Sequence, residues 1–179
     1  MLVTLATRTF TPEPTAAALR LGALARALAG GGDRVRVLTS RLAPAVARDA
    51  ARADEPGSGL VEVRRAPVLR DHTGAVRGYV SYLSFDVPLI ARLLAGPRPD
   101  VVVAEPPPTT GAAVRLACVL RRVPYVYYCA DIVSDAAALA GVARPVVRAV
   151  AALESFALRG ARRVVAVSDG VAGRARDLG

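Results

Sequence analysis

Short apolar runs recur along the chain, and stretches with helical spacing separate them. The runs in DVVVA and VPYVYYCA, at 100–104 and 123–130, are apolar on both faces, which is typical of strands in a parallel sheet covered by helices. The run at 60–65 instead alternates apolar and polar residues, as an edge strand does. We therefore expect six strands, in the segments MLVTLA, RVRVLT, LVEVRR, DVVVA, VPYVYYC and ARRVVAV.

The segments between these strands have apolar residues three and four positions apart, which predicts helices. The first helix begins after Thr15, a residue type that caps helix amino termini, and ends at the glycines 30–32. Another helix is marked by Leu83, Val87, Ile90 and Leu94. Pro88 inside this helix predicts either a kink or a fresh helix start. Helices are also expected over Pro145–Arg159 and from Ser168 onward.

Strands that alternate with helices predict an α/β fold: a doubly wound, mostly parallel, Rossmann-like sheet of six to seven strands with helices on both faces. The strand order 3-2-1-4-5-6 is the leading topology. With 179 residues, of which 53% are apolar, we expect one such domain over residues 1–179.

Ligands of such sheets bind beyond the carboxyl ends of the strands, so the loops at these ends are the candidate site. Asp131 follows the fifth strand, and we take it as the candidate catalytic residue because Ser134 and Asp135 are better placed to cap the next helix. The candidate binding residues are Thr9, Phe10, Thr11, Glu13, Glu105, Pro107, Thr109, Tyr128, Ser134, Asp135 and Ser168. Helix capping is an alternative role for Thr109, Asp135 and Ser168.

The formal net charge is +9, and every basic residue is an arginine. The arginines are scattered and few aromatic residues lie among them, which argues against a nucleic-acid groove. A basic face could still favour an anionic membrane surface, at about 1 kcal/mol for each well-placed residue. No apolar stretch approaches the ~20 residues of a membrane helix, and the amino terminus lacks the order of a signal peptide. We expect a cytoplasmic protein, with peripheral contact at the inner face of the membrane as a hypothesis.

The sequence lacks the motifs that are typical of several functional classes. No GxGxxG follows the first strand, no GxxxxGK[ST] or GxSxG is present, and the two cysteines suit neither zinc nor a disulfide framework. Nicotinamide-dependent and P-loop functions are therefore disfavoured, and we expect no metal and no cofactor. His72, the lone histidine, is expected to be a solvated surface side chain.

A set of short motifs, taken in order, resembles the amino-terminal domain of a GT-B glycosyltransferase, most closely the GT4-type bacterial enzymes of cell-wall, capsule and antigen sugar assembly. The motifs are TRTFTPEPTAAALR, VRVLT, VEVRRAP, YVSYLSF, PDVVVAEPPPTTG, VPYVYYCADIVSDAAALAG and LESFALRGARRVVAVSDGV. The resemblance implies that this domain binds the acceptor, while a second domain, absent from this chain, binds a nucleotide-sugar. It also implies a hexosyl-type transferase that retains anomeric configuration, without a metal in its active site.

The resemblance also assigns individual positions. The aspartate of the family's fifth-strand loop matches Asp131, although Ala130 stands where the family has arginine and Val133-Ser134 where it has Trp-Pro. The family's Glu-Ser-Pro-Pro loop matches Glu105 to Pro108, and its sixth-strand serine matches Ser168. The acceptor would be a small molecule, a glycan or a lipid-linked molecule, and the isolated fragment is expected to be inactive.

A different class of function remains open. The chain could be a non-catalytic module that binds a sugar or nucleotide, or one chain of a split transferase. A reading frame that continues for another ~150 to 200 residues in a strand–helix pattern would favour the enzyme. An epimerase or dehydrogenase domain is disfavoured by the missing glycine fingerprint.

Overall fold

The protein is described by a computed structural model, which covers residues 1–50, 59–71, 74, 76 and 78–179. Within these residues the strands are β1 (Leu2–Ala6), β2 (Arg34–Ser40), β3 (Val61–Ala66), β4 (Val101–Ala104), β5 (Tyr125–Cys129) and β6 (Arg163–Ala166). The helices are α1 (Ala16–Gly30), α2 (Pro44–Ala50), α3 (Tyr79–Ala95), α4 (Pro108–Arg121), α5 (Val133–Leu139), α6 (Arg144–Gly160) and α7 (Asp169–Leu178).

The strands form one sheet in the order β3-β2-β1-β4-β5-β6. The pairs β1–β2, β2–β3, β4–β5 and β5–β6 are all parallel. The predicted doubly wound, Rossmann-like α/β fold is therefore confirmed, with six strands in the described part of the chain. The chain divides into two compact units, Met1–Pro88 and Leu89–Gly179. A single domain over residues 1–179 stays a prediction.

The first unit contains β1, β2 and β3 with α1 and α2. Its core includes Val3, Leu5 and Val37, each no more than 2% exposed. Helix α1 begins as the sequence predicts, because the Thr15 hydroxyl accepts a hydrogen bond from the Ala18 amide at 3.1 Å. The helix ends at the predicted glycines, where Gly32 adopts a left-handed φ of 88°.

Helix α3 departs from its predicted pattern in two ways. It continues through Pro88, so the alternative of a fresh helix start there is wrong. Its buried face is formed by Phe85, Leu89 and Leu93, whereas Val87, one of the residues that marked the helix, is 61% exposed. Both faces of α3 are apolar, so spacing alone identifies a helix without deciding which face is buried.

The second unit contains β4, β5 and β6 with α4, α6 and α7, and the short α5. Tyr125 and Tyr127 point from β5 into the helical layer, where Tyr127 is fully buried. Burying a large side chain of this kind contributes about 1.5–3 kcal/mol. The Tyr125 hydroxyl donates a hydrogen bond to the Ala157 carbonyl of α6, which ties this helix to the sheet.

A search of the described residues for membrane-spanning helices finds none with the required length and hydropathy.

Candidate functional site

The second unit brings the ends of three strands to one edge of its sheet. Strands β4 and β5 pair with Ala104 opposite Tyr127, and β5 and β6 pair with Cys129 opposite Ala166. Because these strands are parallel, the loops that follow them leave the same edge. Those loops, together with the end of β5 and the first turns of α4 and α5, contain eight of the predicted site residues: Glu105, Pro107, Thr109, Tyr128, Asp131, Ser134, Asp135 and Ser168.

Asp131 lies two residues beyond the end of β5 and is exposed. Its carboxylate makes no hydrogen bond or ion pair with the residues that the structure describes. Its backbone is held, since the Asp131 carbonyl accepts a hydrogen bond from the Cys129 thiol at 3.4 Å. The following residue, Ile132, is 7% exposed and anchors the loop in the core. Asp131 therefore presents a solvated carboxylate on a tethered backbone.

The start of α5 is capped by Glu154, a residue of α6 that is fully buried. One Glu154 oxygen accepts a hydrogen bond from the Val133 amide at 2.8 Å. The other accepts from the Ser134 amide at 3.1 Å and from the Ser134 hydroxyl at 2.6 Å. The N-cap residue of α5, Ile132, has an apolar side chain that cannot accept hydrogen bonds from these amides. The expectation that Ser134 or Asp135 caps α5 is therefore wrong.

Two predicted site residues have partners inside the unit. The Ser134 hydroxyl is directed at Glu154 and the residue is 3% exposed. Asp135 makes a two-pronged ion pair with Arg174 of α7, with both N–O distances at 2.8 Å. The hydrogen bonds from Arg174 hold the pKa of the Asp135 carboxyl below its usual value. Among the acids of this loop, Asp131 has the most accessible carboxylate.

The loop after β4 and the first turn of α4 place Glu105 and Thr109 at the same edge of the unit. Glu105 is 5% exposed and already has an interaction within the protein. Pro107 occupies the N-cap position of α4, where no side chain accepts a hydrogen bond from the first amides of the helix. The Thr109 hydroxyl is buried and has no hydrogen-bond partner among the described residues. Thr109 thus lacks the predicted alternative role of a helix cap.

Ser168 follows β6 and has the structural role that the sequence allowed for it. Its hydroxyl accepts a hydrogen bond from the Val171 amide at 3.3 Å and caps α7. The residue is exposed, so its hydroxyl group remains accessible at the edge of the unit.

Two tyrosines of β5 flank the site on opposite sides of the strand. The Tyr127 hydroxyl is buried without a hydrogen-bond partner among the described residues. Burial raises the pKa of Tyr127 well above its usual value, and the charges of Cys129, Glu154, Asp131 and Glu105 add to this effect. Tyr128 is half-buried and has its own interaction within the protein.

In the first unit, the loop after β1 contains the other predicted residues, and its polar groups largely bind one another. Glu13 is 6% exposed, accepts a hydrogen bond from the Phe10 amide at 3.2 Å and pairs with Arg70 at 3.4 Å. Thr9 accepts a hydrogen bond from the Thr15 hydroxyl at 3.3 Å, and the Thr11 carbonyl accepts one from Arg65. His72 lies outside the described residues.

Glu154 is the residue of this region that sequence reasoning missed. A signal was present, because Val150, Glu154, Ala157 and Leu158 share one face of α6 at helical spacing. A carboxylate on an otherwise apolar face must find hydrogen-bond donors when that face is buried.

The described residues contain no group of three or more histidine, cysteine or carboxylate side chains arranged to hold a metal ion.

Comparison with solved structures supports the fold. The chain resembles Arabidopsis thaliana UGT89C1 in complex with UDP-L-rhamnose, with a TM-score of 0.57 at 12% identity. The complex of the same protein with UDP gives a TM-score of 0.57 at 13% identity. Both matches cover 93% of this chain and 44% of the solved chain. The chain thus spans less than half the length of the proteins that it resembles.

Comparison with family models identifies the family. A search of curated protein sequences finds no match. The model of the glycosyl transferase 4-like domain matches residues 15–179, which is most of the chain. The resemblance noted from the motifs is thereby confirmed, and the chain belongs to the glycosyl transferase 4-like family.

Proposed function

We propose that this chain is the acceptor-binding, amino-terminal half of a glycosyltransferase, which moves a sugar from a nucleotide-sugar to an acceptor hydroxyl. Membership of the glycosyl transferase 4-like family supports the reaction class. The observation that carries the assignment of a site is Asp131, whose exposed carboxylate has no partner among the described residues and lies at the carboxyl end of β5.

Asp131 has a chemical role that fits its position. Glycosyl transfer passes through an oxocarbenium-like transition state, so a carboxylate near the acceptor can stabilise positive charge and orient the attacking hydroxyl. It can also act as general base, a contribution of about 10²–10⁴-fold. In a retaining mechanism the leaving diphosphate can accept the proton instead, and Asp131 then orients the acceptor hydroxyl.

The remaining candidate residues fall into three groups in this proposal. Ser168 has an accessible hydroxyl group at this edge of the second unit and would contact the acceptor. Thr109, whose hydroxyl is buried, would shape the surface around it together with Glu105, Pro107 and Tyr128. Ser134 and Asp135 support the loop through their own partners. The loop after β1 contains the third group: Thr9, Phe10, Thr11 and Glu13. Hydrogen bonds within this loop hold it together, and only Thr9 and Thr11 are partly exposed.

The donor would bind a second domain beyond these 179 residues. The solved proteins of this fold are more than twice the length that the chain matches, and they were solved with UDP and UDP-L-rhamnose. We take the full enzyme to be a hexosyl-type, retaining transferase that uses a nucleotide-sugar. Residues 1–179 alone would then lack the donor site and be inactive.

We also propose that the enzyme works in the cytoplasm and contacts the anionic inner face of the membrane. Support comes from the β6 basic cluster, which we define as Arg159, Arg162, Arg163 and Arg176. These four exposed arginines line one groove of about 430 Å³. None of them makes an ion pair or side-chain hydrogen bond with the part of the chain that the structure describes.

The Asp131→Asn variant of the full-length protein tests the main proposal. Asparagine keeps the size of the side chain but removes its charge and basicity, so kcat should fall at least about 100-fold. The assay is release of nucleoside diphosphate from a panel of UDP-, GDP- and dTDP-sugars in the presence of candidate acceptors.

The control is Asp33→Asn, which changes a carboxylate of the first unit whose partner is the Met1 amino group. It should keep the wild-type rate, and circular dichroism should show that both variants fold. A wild-type kcat in Asp131→Asn would remove the assignment of this residue.

A further inference from the structure

Glu154 is a buried carboxylate whose hydrogen bonds with the described residues all come from one short segment. Three donors, the amides of Val133 and Ser134 and the Ser134 hydroxyl, bind its two oxygens at 2.6–3.1 Å. The residue is fully buried and makes no ion pair with the described residues. A buried carboxylate is costly unless hydrogen bonds satisfy it, so this arrangement fixes α6 against the start of α5.

The same segment contains Asp131. On the amino-terminal side of the loop, the Cys129 thiol donates to the Asp131 carbonyl at 3.4 Å. On the carboxyl-terminal side, Glu154 holds the amides two and three residues after Asp131. Between them Ile132 is buried at 7% exposure. The backbone of Asp131 is therefore constrained from both sides, while its side chain is free to meet a ligand.

We propose that Glu154 is a positioning residue for Asp131, which sets the direction in which the Asp131 carboxylate faces the acceptor. The inference rests on the proposed function, because it assigns Glu154 a role in a reaction that Asp131 assists. A displacement of about 1 Å in a catalytic group can cost up to about 100-fold in rate. The gain in rate from a correctly oriented loop can therefore offset the free-energy cost of burying the Glu154 carboxylate.

The chemistry requires a carboxylate at position 154. Three donors converge on its two oxygens, and an ionised carboxylate only accepts hydrogen bonds. In Glu154→Gln, one oxygen is replaced by an NH₂ group that would face a donor of Val133 or Ser134. The loop would have to shift to relieve this contact, although the side chain keeps its size.

The experiment uses the full-length enzyme and the nucleotide-sugar on which the wild type is active. We expect kcat of Glu154→Gln to fall about 10- to 100-fold, with KM for the donor changed less than about threefold. In the Asp131→Asn background, Glu154→Gln should cause little further loss, because the group that it positions is already disabled. Hydrogen exchange in peptides covering residues 130–139 should become faster.

The matched control is Tyr125→Phe, which removes the hydrogen bond from Tyr125 to the Ala157 carbonyl on the same helix. It perturbs the anchoring of α6 without touching the loop, so kcat and exchange over residues 130–139 should stay at wild-type values. If Glu154→Gln fails to fold, Ser134→Ala removes only the hydroxyl donor and should lower kcat about threefold or more at unchanged KM.

The outcomes separate this inference from the proposed function. A normal rate in Asp131→Asn would overturn both. A loss in Asp131→Asn with a normal rate in Glu154→Gln, or in Ser134→Ala where that variant is needed, would overturn the positioning role alone. So would a loss from Glu154→Gln that is equally large in the Asp131→Asn background, since it would reflect general damage to the fold.

Discussion

Three carboxylates near the end of β5 differ in their partners, and these partners decide what each can do. Asp131 faces solvent, Asp135 pairs with Arg174, and Glu154 is buried among donors of the α5 segment. A carboxylate that is already paired offers fewer of its lone pairs to a ligand, and its partner fixes the direction in which it points. The Asp131 carboxylate has all of its lone pairs open to a ligand. Its sequence position predicts a place at the edge of the sheet, but only the tertiary partners distinguish it from Asp135.

Also at the residue scale, any side chain at Gly111 of α4 is predicted to destabilise the fold. A Cβ atom there would lie 2.6 Å from Cε2 of Tyr127 and 2.7 Å from Cβ of Ala157, and both residues are fully buried. Overpacking of this kind typically costs about 1–3 kcal/mol. Gly111→Ala should therefore lower the free energy of unfolding in urea, despite the better helix propensity of alanine.

Gly173→Ala is the matched control for this substitution. Gly173 is also helical, and a Cβ atom there would meet no heavy atom within 4 Å. Helix propensity alone then applies, and the variant should gain about 0.5–1 kcal/mol. Equal stability of Gly111→Ala and the wild type would show that Tyr127 can move away from α4.

At the scale of elements, the sequence predicts helices and strands better than it predicts their faces. The strands are identifiable because β4 and β5 are apolar on both faces and so lack polar interruptions, although only one face of each is fully buried. In α3 the apolar residues cover two faces, and the buried one could not be chosen without the rest of the fold. Glu154 is a similar case, since the donors that satisfy it belong to a segment that lies 20 residues away in sequence.

The pairing of α5 with α7 through Asp135 and Arg174 makes stability depend on pH in a defined direction. Hydrogen bonds from Arg174 lower the pKa of Asp135 in the folded state. Such a group stabilises the fold above its unfolded pKa of about 3.9, and this contribution is lost as pH falls through the folded value. Asp135→Asn should therefore lower Tm by about 1–2 °C at pH 7, because the pair is exposed and solvent screens it.

The pH dependence of this variant is the critical measurement. The difference in Tm between Asp135→Asn and the wild type should shrink as pH falls below about 4, where the wild-type carboxyl also becomes neutral. Calorimetric scans between pH 7 and pH 2.5 measure it. A difference that stays constant over this range would mean that Asp135 acts through packing and not through its charge.

At the scale of the whole molecule, fold and family were predictable because both depend on the order of many weak signals. The alternation of strands and helices predicted the strand order, and seven soft motifs in sequence predicted the family. The chemical details were less predictable, because the roles of Ser134, Asp135 and Glu154 depend on contacts between segments that are distant in sequence. Local capping rules assigned Ser134 and Asp135 to their own helix, whereas the structure pairs them with α6 and α7.

The charge of the whole chain leads to the last prediction. At +9, and with the four exposed arginines of the β6 basic cluster unpaired among the described residues, the protein should sediment with vesicles that contain an anionic phospholipid. It should not sediment with vesicles of phosphatidylcholine alone, and the binding should weaken as salt is raised.

At about 1 kcal/mol for each basic residue, a variant with Arg162, Arg163 and Arg176 all changed to Gln should bind up to about 100-fold more weakly. Arg64→Gln is the control, because Arg64 already pairs with Glu62 at 2.6 Å and contributes less free charge. Sedimentation that does not depend on anionic lipid would exclude an electrostatic contact with the membrane.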